Sequence, residues 1–467
     1  MACIGVDNVK RYSFGLQEPS IDADKLSYEI FSILETNFLF GSDDQEIWVP
    51  KQPQLGSEVL LKGEDVVQEM EDHRWKICIL SIDGGGVQNI LSGKMLSFLE
   101  TALKNKSGNP NARIADYFDV AAGAGVGGIF MAMLFASKDQ NSPIFHADDT
   151  WKFLEAEGEK LCHPARKSNH KGNILKRFLR KTGGADCATT SGLEKAIKEA
   201  FKDEKTGRSL TLKNTLKPVL IPCYDLASMA PFLFSRADAL ESDSFDFNLW
   251  EVCMATAAEP GLFGPVCMKS ANGSTRCVGV DGGLAMNNPT AAAITHVLHN
   301  KQDYPFVRGV EDILVLSLGA GGQVLGGSFD YEDVKKWKSK DWARPSARIS
   351  ADGSSELVDQ AVALAFGQSR SSNYVRIQAN GTNLGRHGTN IESCPVPNKV
   401  KMLVGVADDM LKQKNVESVL FNGKRIGERS NLEKLEWFAE QLVLEHQRRS
   451  CGIAPAVAFK QATPKNC

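Results

Sequence analysis

The sequence predicts an α/β fold, a mainly parallel central sheet flanked by helices, because one unit of apolar strand, glycine turn and helix recurs along it. Lys76 to Ile82 (KICILSI) runs into Asp83-Gly84-Gly85-Gly86 and then into the helical periodicity of Ile90 to Leu103. Phe118 to Ala122 runs into Gly123-Ala124-Gly125-Val126-Gly127-Gly128 and the apolar run Ile129 to Ala136. Cys277 to Val280 runs into Asp281-Gly282-Gly283, and Pro289 to Leu298 supplies the following helix. Alternation of this kind gathers the loops at the carboxyl ends of the strands, the edge where ligands bind.

Taken in order, residues 1–74 form an N-terminal extension, with a helix expected over Leu26 to Phe38 and a polar loop from Gly41 to Gly56. Residues 75–325 form the α/β domain. Within it, besides the three units above, Gly192 to Phe201 reads as a short helix, and Lys217 to Asp225 and Pro231 to Ser235 read as strands. Leu249 to Ala258 is a helix stopped by Pro260, and Asp312 to Leu318 a further strand. Residues 326–450 are expected to be a mainly helical part packed on the domain. Leu357 to Phe366, Val400 to Leu411 and Leu432 to Glu445 are its helices, and Tyr374 to Gln378 fits a strand. Residues 451–467 read as a disordered tail.

Composition narrows the class. At 467 residues the chain is long enough for a substantial core, and its net charge of −3 with 24% charged residues gives no global bias toward nucleic acid. Eleven cysteines are scattered without a C-x-x-C pair, which points to reduced thiols in the cytosol rather than a disulfide framework or a cysteine zinc site. No signal-type apolar run opens the chain, and the run Val126 to Ala136 is about half of the ~20 residues a membrane span requires. A cytoplasmic protein is expected, peripherally associated with the plasma membrane or another membrane. Cys467 does not fit a prenylation signal and Ala2 replaces a myristoylated glycine, leaving Cys3 as the open acylation candidate.

From Lys160 to Lys181 the chain carries eight Lys or Arg and no acid, interleaved with Leu161, Ile174, Leu175, Phe178 and Leu179. Either a solvated face or a surface docking on anionic lipid head groups fits that pattern. His163, His170 and His387 have no metal-ligand partner at suitable spacing, so no metal site is expected, and no organic cofactor is suggested.

Each glycine turn alone is a weak signal; the three in this order are specific. They resemble the patatin-like lipolytic acyl hydrolases over roughly residues 75–325, with support from Ala255-Thr256-Ala257-Ala258-Glu259-Pro260, Asn287-Asn288-Pro289 and Leu316-Ser317-Leu318-Gly319-Ala320-Gly321. The resemblance implies that Gly84, Gly85 and Gly86 form the oxyanion loop, that Gly123, Gly125 and Gly127 frame a nucleophile elbow, and that Asp281 with Gly282 and Gly283 is the acid motif. A comparable elbow reads G-x-S-x-G with serine at its apex, and here the apex is Gly125. That glycine, Gln88 where the family usually has Arg, and the N-terminal extension look most like the plant group III patatin-related type. The implied substrates are acyl esters of membrane phospholipids or galactolipids.

The chemistry of each part stands apart from the name. Backbone N–H groups of an open glycine loop approach a carbonyl oxygen without Cβ obstruction, and Gly85 and Gly86 are the expected donors. An aspartate at a strand end accepts a proton from a hydroxyl or from water, which is the role expected of Asp281. Asp83 is expected to fix the glycine loop through backbone hydrogen bonds. With no serine at position 125, and with Ser81 and Ser92 outside the turn, direct attack by water with Asp281 as base is the catalytic expectation. The alternative is a catalytically inactive lipid-binding or scaffolding protein that keeps the fold. Gly123-x-Gly125-x-x-Gly128 also matches a dinucleotide fingerprint, but Ser137 to His146 offers no strand carrying the acid which that site needs.

Overall fold

A computed structural model of the chain describes residues 75–162, 187–320, 330–378, 396–419 and 423–450. The chain divides into Met1–Glu69, which lies outside the described residues, and Met70–Cys467, to which the following account refers. The helix expected over Leu26 to Phe38, the tail 451–467 and residues 163–181 of the basic stretch also lie outside the described residues.

The sheet is built around β1 (Ile77–Ile82), every residue of which is buried. It pairs in parallel with β2 (Val120–Gly123) on one side and β7 (Ile313–Leu318) on the other. Beyond β2 lies β3 (Val219–Asp225), also parallel, and beyond β7 lies β8 (Tyr374–Ile377), parallel again. Both faces of these strands are covered, so they read as continuous apolar runs rather than alternations. Period 2 still sorts them: Cys78, Leu80 and Ile82 enter one hydrophobic core, and Ile77 and Ile79 the other.

The first core is closed by α1 (Ile90–Ser107), α2 (Val126–Phe135), α3 (Ala147–Cys162), α4 (Cys187–Ala200), α5 (Leu249–Thr256), α8 (Val396–Lys412) and α9 (Asn431–Ser450). The second is closed by α6 (Thr290–His299) and α7 (Ser339–Phe366), giving a three-layer arrangement. The parallel order breaks beyond β3. There β4 (Ala230–Ser235) and β6 (Arg276–Val280) both pair antiparallel with β3, and β5 (Val266–Lys269) pairs antiparallel with β6. The antiparallel β6 carries Asp281 back to the level of the elbow.

Residues 326–450 do more than cover the domain, because β8 completes the sheet. α7 is 28 residues long and includes Pro345, whereas the sequence pattern marks only its last third. Asp352-Gly353-Ser354-Ser355 reads locally as a break, yet the helix passes through it because Ser355 and Asp359 bury against the core side. A hairpin of β9 (Lys414–Val419) and β10 (Gly423–Ser430), not expected from the sequence, precedes α9. The last turn of α9 is stapled to the sheet: Arg449 donates two hydrogen bonds to the buried Asp119 carboxylate, at 2.7 and 2.8 Å, and a third to Lys76 O.

Candidate active site

The elbow forms because its glycines let three backbone segments share one volume. A Cβ on Gly123 would stand 2.3 Å from Gly127 O, and one on Gly127 would stand 2.7 Å from Ile82 O. With that contact made, the chain reverses sharply at Gly125, which has φ +54° and caps the N-terminus of α2. This is a conformation glycine adopts without penalty. The Gly125 amide donates to Thr256 Oγ1 at 3.0 Å.

Asp281 follows β6, half-buried, with its amide bonded to Ala258 O. Its Oδ1 accepts the Gly283 amide at 2.9 Å, while the Gly282 amide goes to Thr256 O at 3.0 Å. Burial pushes the Asp281 carboxyl up to about 6; the Gly283 N–H opposes that shift and the Glu259 charge adds to it. A Cβ built on Gly125 would lie 3.7 Å from Asp281 Oδ1, 3.6 Å from Gly84 Cα and 3.9 Å from Thr256 O, all ordinary contacts. The apex therefore has room for a side chain, and that room is bounded by the carboxylate on one side and the glycine loop on the other.

In the glycine loop the three residues differ. The Gly84 amide donates to Asn287 O at 3.0 Å, so it holds the loop to the acid motif and is not turned to a substrate oxygen. Gly84 thus belongs to the loop without being one of the two expected donors. The amides of Gly85 and Gly86 have no acceptor among the described residues. A Cβ on Gly85 would overlap that of Ala320 at 2.1 Å, so the loop lies hard against the exit of β7.

Asp83 anchors the loop by a different route from the local turn expected. Its carboxylate receives Arg376 Nη1 at 2.9 Å and Nη2 at 2.6 Å, its amide donates to Leu318 O, and its carbonyl accepts Asn89 Nδ2. Burial raises the Asp83 carboxyl and the Arg376 guanidinium pulls it down, while Arg376 itself is held firmly protonated. Beneath the loop, the fully buried Thr290 hydroxyl contacts Ser81 Oγ and Ser317 Oγ, each at 2.9 Å. Ser81 is thus committed, and Ser92 donates to Gly319 O. Neither serine substitutes at the apex. On the other side, Asn287 and Asn288 donate to Ser355 of α7.

The structure thus brings Gly84, Gly85, Gly86, Gly123, Gly125, Gly127, Asp281, Gly282 and Gly283 to one place. Thr256, Arg376 and Ser355 were not given roles by sequence reading. Arg376 did leave a signal, since an arginine within a buried strand requires a counter-charge. No group of three metal-ligating side chains occurs among the described residues. His163, His170 and His387 fall outside them, and no helix among the described residues is long and apolar enough to cross a membrane.

A family model for patatin-like phospholipase matches residues 80–294. The chain is 63% identical over 447 residues to patatin-like protein 7 of Arabidopsis thaliana, covering 96% of this chain and 86% of that one. It is 60% identical over 456 residues to patatin-like protein 6 of the same plant, covering 96% and 89%. It is also 42% identical over 373 residues to the probable inactive patatin-like protein 9 of Arabidopsis thaliana, covering 80% and 88%. With a matched domain that spans the glycine loop, the elbow and the acid motif, and with relatives this similar along nearly the whole chain, the protein belongs to the patatin-like phospholipase family, whose general activity is lipid acyl hydrolysis.

Proposed function

We propose that the protein releases fatty acids from membrane phospholipids or galactolipids by direct attack of water at this site. The observation that carries the reading is the 3.7 Å between the Cβ position of Gly125 and Asp281 Oδ1, because it leaves space for an oxygen nucleophile beside a carboxylate poised near pH 6. Water attacks the ester carbonyl carbon and passes one proton to Asp281. The carbonyl oxygen takes the negative charge and is met by the N–H groups of Gly85 and Gly86, with the N-terminus of α2 adding to the favourable field. Collapse of the tetrahedral intermediate breaks the ester C–O bond. Asp281 returns its proton to the departing alkoxide, so the products are a fatty acid and the deacylated lipid. Such a protein works at the cytoplasmic face of a membrane, and the basic stretch 160–181 is the segment whose charge suits anionic head groups.

A second reading is a lipid-binding protein without turnover. Gly125 favours it, because losing the serine of a comparable hydrolase costs about 10⁶ in turnover while oxyanion hole and binding retain about 10³ to 10⁴ over water. The deciding experiment measures fatty-acid release from phosphatidylcholine and from a galactolipid by the purified chain beside Asp281→Ala prepared identically. Release by the native chain alone supports hydrolysis. Equal or absent release removes it and leaves lipid binding.

A further inference from the structure

We propose that Arg376 is a positioning residue for the oxyanion loop, so that residues well outside the matched segment 80–294 complete the active site. The inference rests on the hydrolytic reading for its kinetic consequence, and on geometry alone for its structural one. Arg376 lies on β8, 293 positions from Asp83, and both side chains are almost wholly buried. The guanidinium spends both terminal nitrogens here: Nη1 bridges Asp83 Oδ1 at 2.9 Å and Ser317 Oγ at 2.8 Å, and Nη2 bridges Asp83 Oδ2 at 2.6 Å and Gln378 Oε1 at 3.0 Å. A Cβ on Gly319 would lie 2.9 Å from Nη2, so the chain at the end of β7 is kept bare where the guanidinium crosses it.

Asp83 immediately precedes Gly84-Gly85-Gly86. Its carboxylate accepts from Arg376, while its amide and carbonyl are held by Leu318 and Asn89. A bidentate pair fixes orientation as well as distance, which a single point charge does not. Removing the fork leaves only the single hydrogen bonds at the Asp83 amide and carbonyl and at the Gly84 amide to hold the loop, and beyond them the Gly85 and Gly86 amides have no acceptor among the described residues to fix them. If the pair served stability alone, an apolar pair of similar volume would replace it without penalty to the loop, since buried ion pairs contribute little net stability. The two roles therefore separate by experiment.

The test compares the native full-length chain with Arg376→Lys, which keeps a counter-charge for Asp83 but loses the fork, and with the double variant Asp83→Leu, Arg376→Met, which removes both charges and protects folding. Amide hydrogen exchange is followed in peptides covering 83–89, with peptides covering 120–123 and α9 as controls. Hydrolysis of p-nitrophenyl butyrate is measured alongside. The proposal expects exchange in 83–89 to rise about tenfold or more in both variants with the controls unchanged. It also expects kcat to fall about 10- to 100-fold with KM within about twofold, Lys retaining more activity than the double variant. Native protection of 83–89 in the double variant, or a rise shared by the controls, overturns it. If the native chain itself lacks turnover while the loop loosens selectively, the hydrolytic reading fails and the positioning of the loop by Arg376 stands.

Discussion

The amide of Gly125 donates to the hydroxyl of Thr256 over 3.0 Å, and the carbonyl of the same threonine accepts the amide of Gly282. One residue at the end of α5 therefore sets the spacing between elbow and acid motif. Thr256→Val keeps the shape, including the methyl that packs toward Gly128, but leaves a buried N–H without a partner. It is expected to lower stability by about 1–3 kcal/mol, with Thr256→Ser recovering most of the loss. A urea midpoint for Val equal to that of the native chain would refute the assignment.

Gly125→Ser tests whether the rest of the site is intact. The backbone there has φ +54°, so a side chain costs about 1–3 kcal/mol, but the new Cβ meets no atom closer than 3.6 Å. Its hydroxyl falls beside Asp281. The variant is expected to become reactive to a fluorophosphonate probe and to raise ester hydrolysis at least about 100-fold, a small part of what a serine supplies elsewhere. A folded variant that is neither labelled nor more active would show that the surroundings are no longer competent.

The Asp281 carboxyl, raised to about 6, predicts opposite effects of one substitution. As a base it must be ionised, so turnover rises about tenfold per pH unit toward 6 and levels above it. For stability the sign reverses. The folded-state pKa exceeds the unfolded value, so the group's contribution is whole below about pH 4 and is lost as pH rises through 6, amounting to about 3 kcal/mol. Asp281→Asn should therefore raise the thermal midpoint at pH 7.5, do little at pH 4, and abolish hydrolysis. Equal shifts at the two pH values would contradict the burial argument.

Arg449 makes a different prediction, because its partner Asp119 is buried and also accepts the Cys78 amide. Arg449→Met strands that carboxylate and is expected to cost about 3–5 kcal/mol. The loss would appear as a lower urea midpoint, with Asp119→Asn in the same chain recovering part of it. A loss below about 1 kcal/mol would mean that α9 is not held by this contact.

Much of the central sheet was legible because its strands are buried on both faces and end in glycine turns, signals that sit within a dozen consecutive residues. The glycine turns and the place of Asp281 at a strand end were legible for the same reason, while the roles given to them came from the family resemblance. Arg376 and Thr256 were not: the first meets Asp83 only after the sheet has assembled, and the second acts through a hydroxyl and a carbonyl that carry no periodicity. β5, only four residues long, and the polar strands β9 and β10 lack the apolar runs that mark the others. The extent of α7 was hidden by Gly353 and its serine neighbours, which local propensity reads as a stop although tertiary burial carries the helix through.

The pairing of β1 with β7 bears on how the chain is made. During synthesis β1 and β2 emerge together, but one edge of β1 stays unpaired until Ile313–Leu318 has left the ribosome. Asp83 waits longer still, for Arg376 on β8. A nascent chain therefore carries an apolar strand with an open edge while the 230 residues between β1 and β7 are made, and such edges recruit other chains. Premature termination before β8 yields a product that contains every glycine of the site and Asp281, yet lacks the clasp of its loop and the outer strand of its sheet. Expression of this protein should accordingly depend on chaperone capacity more than its finished form would suggest.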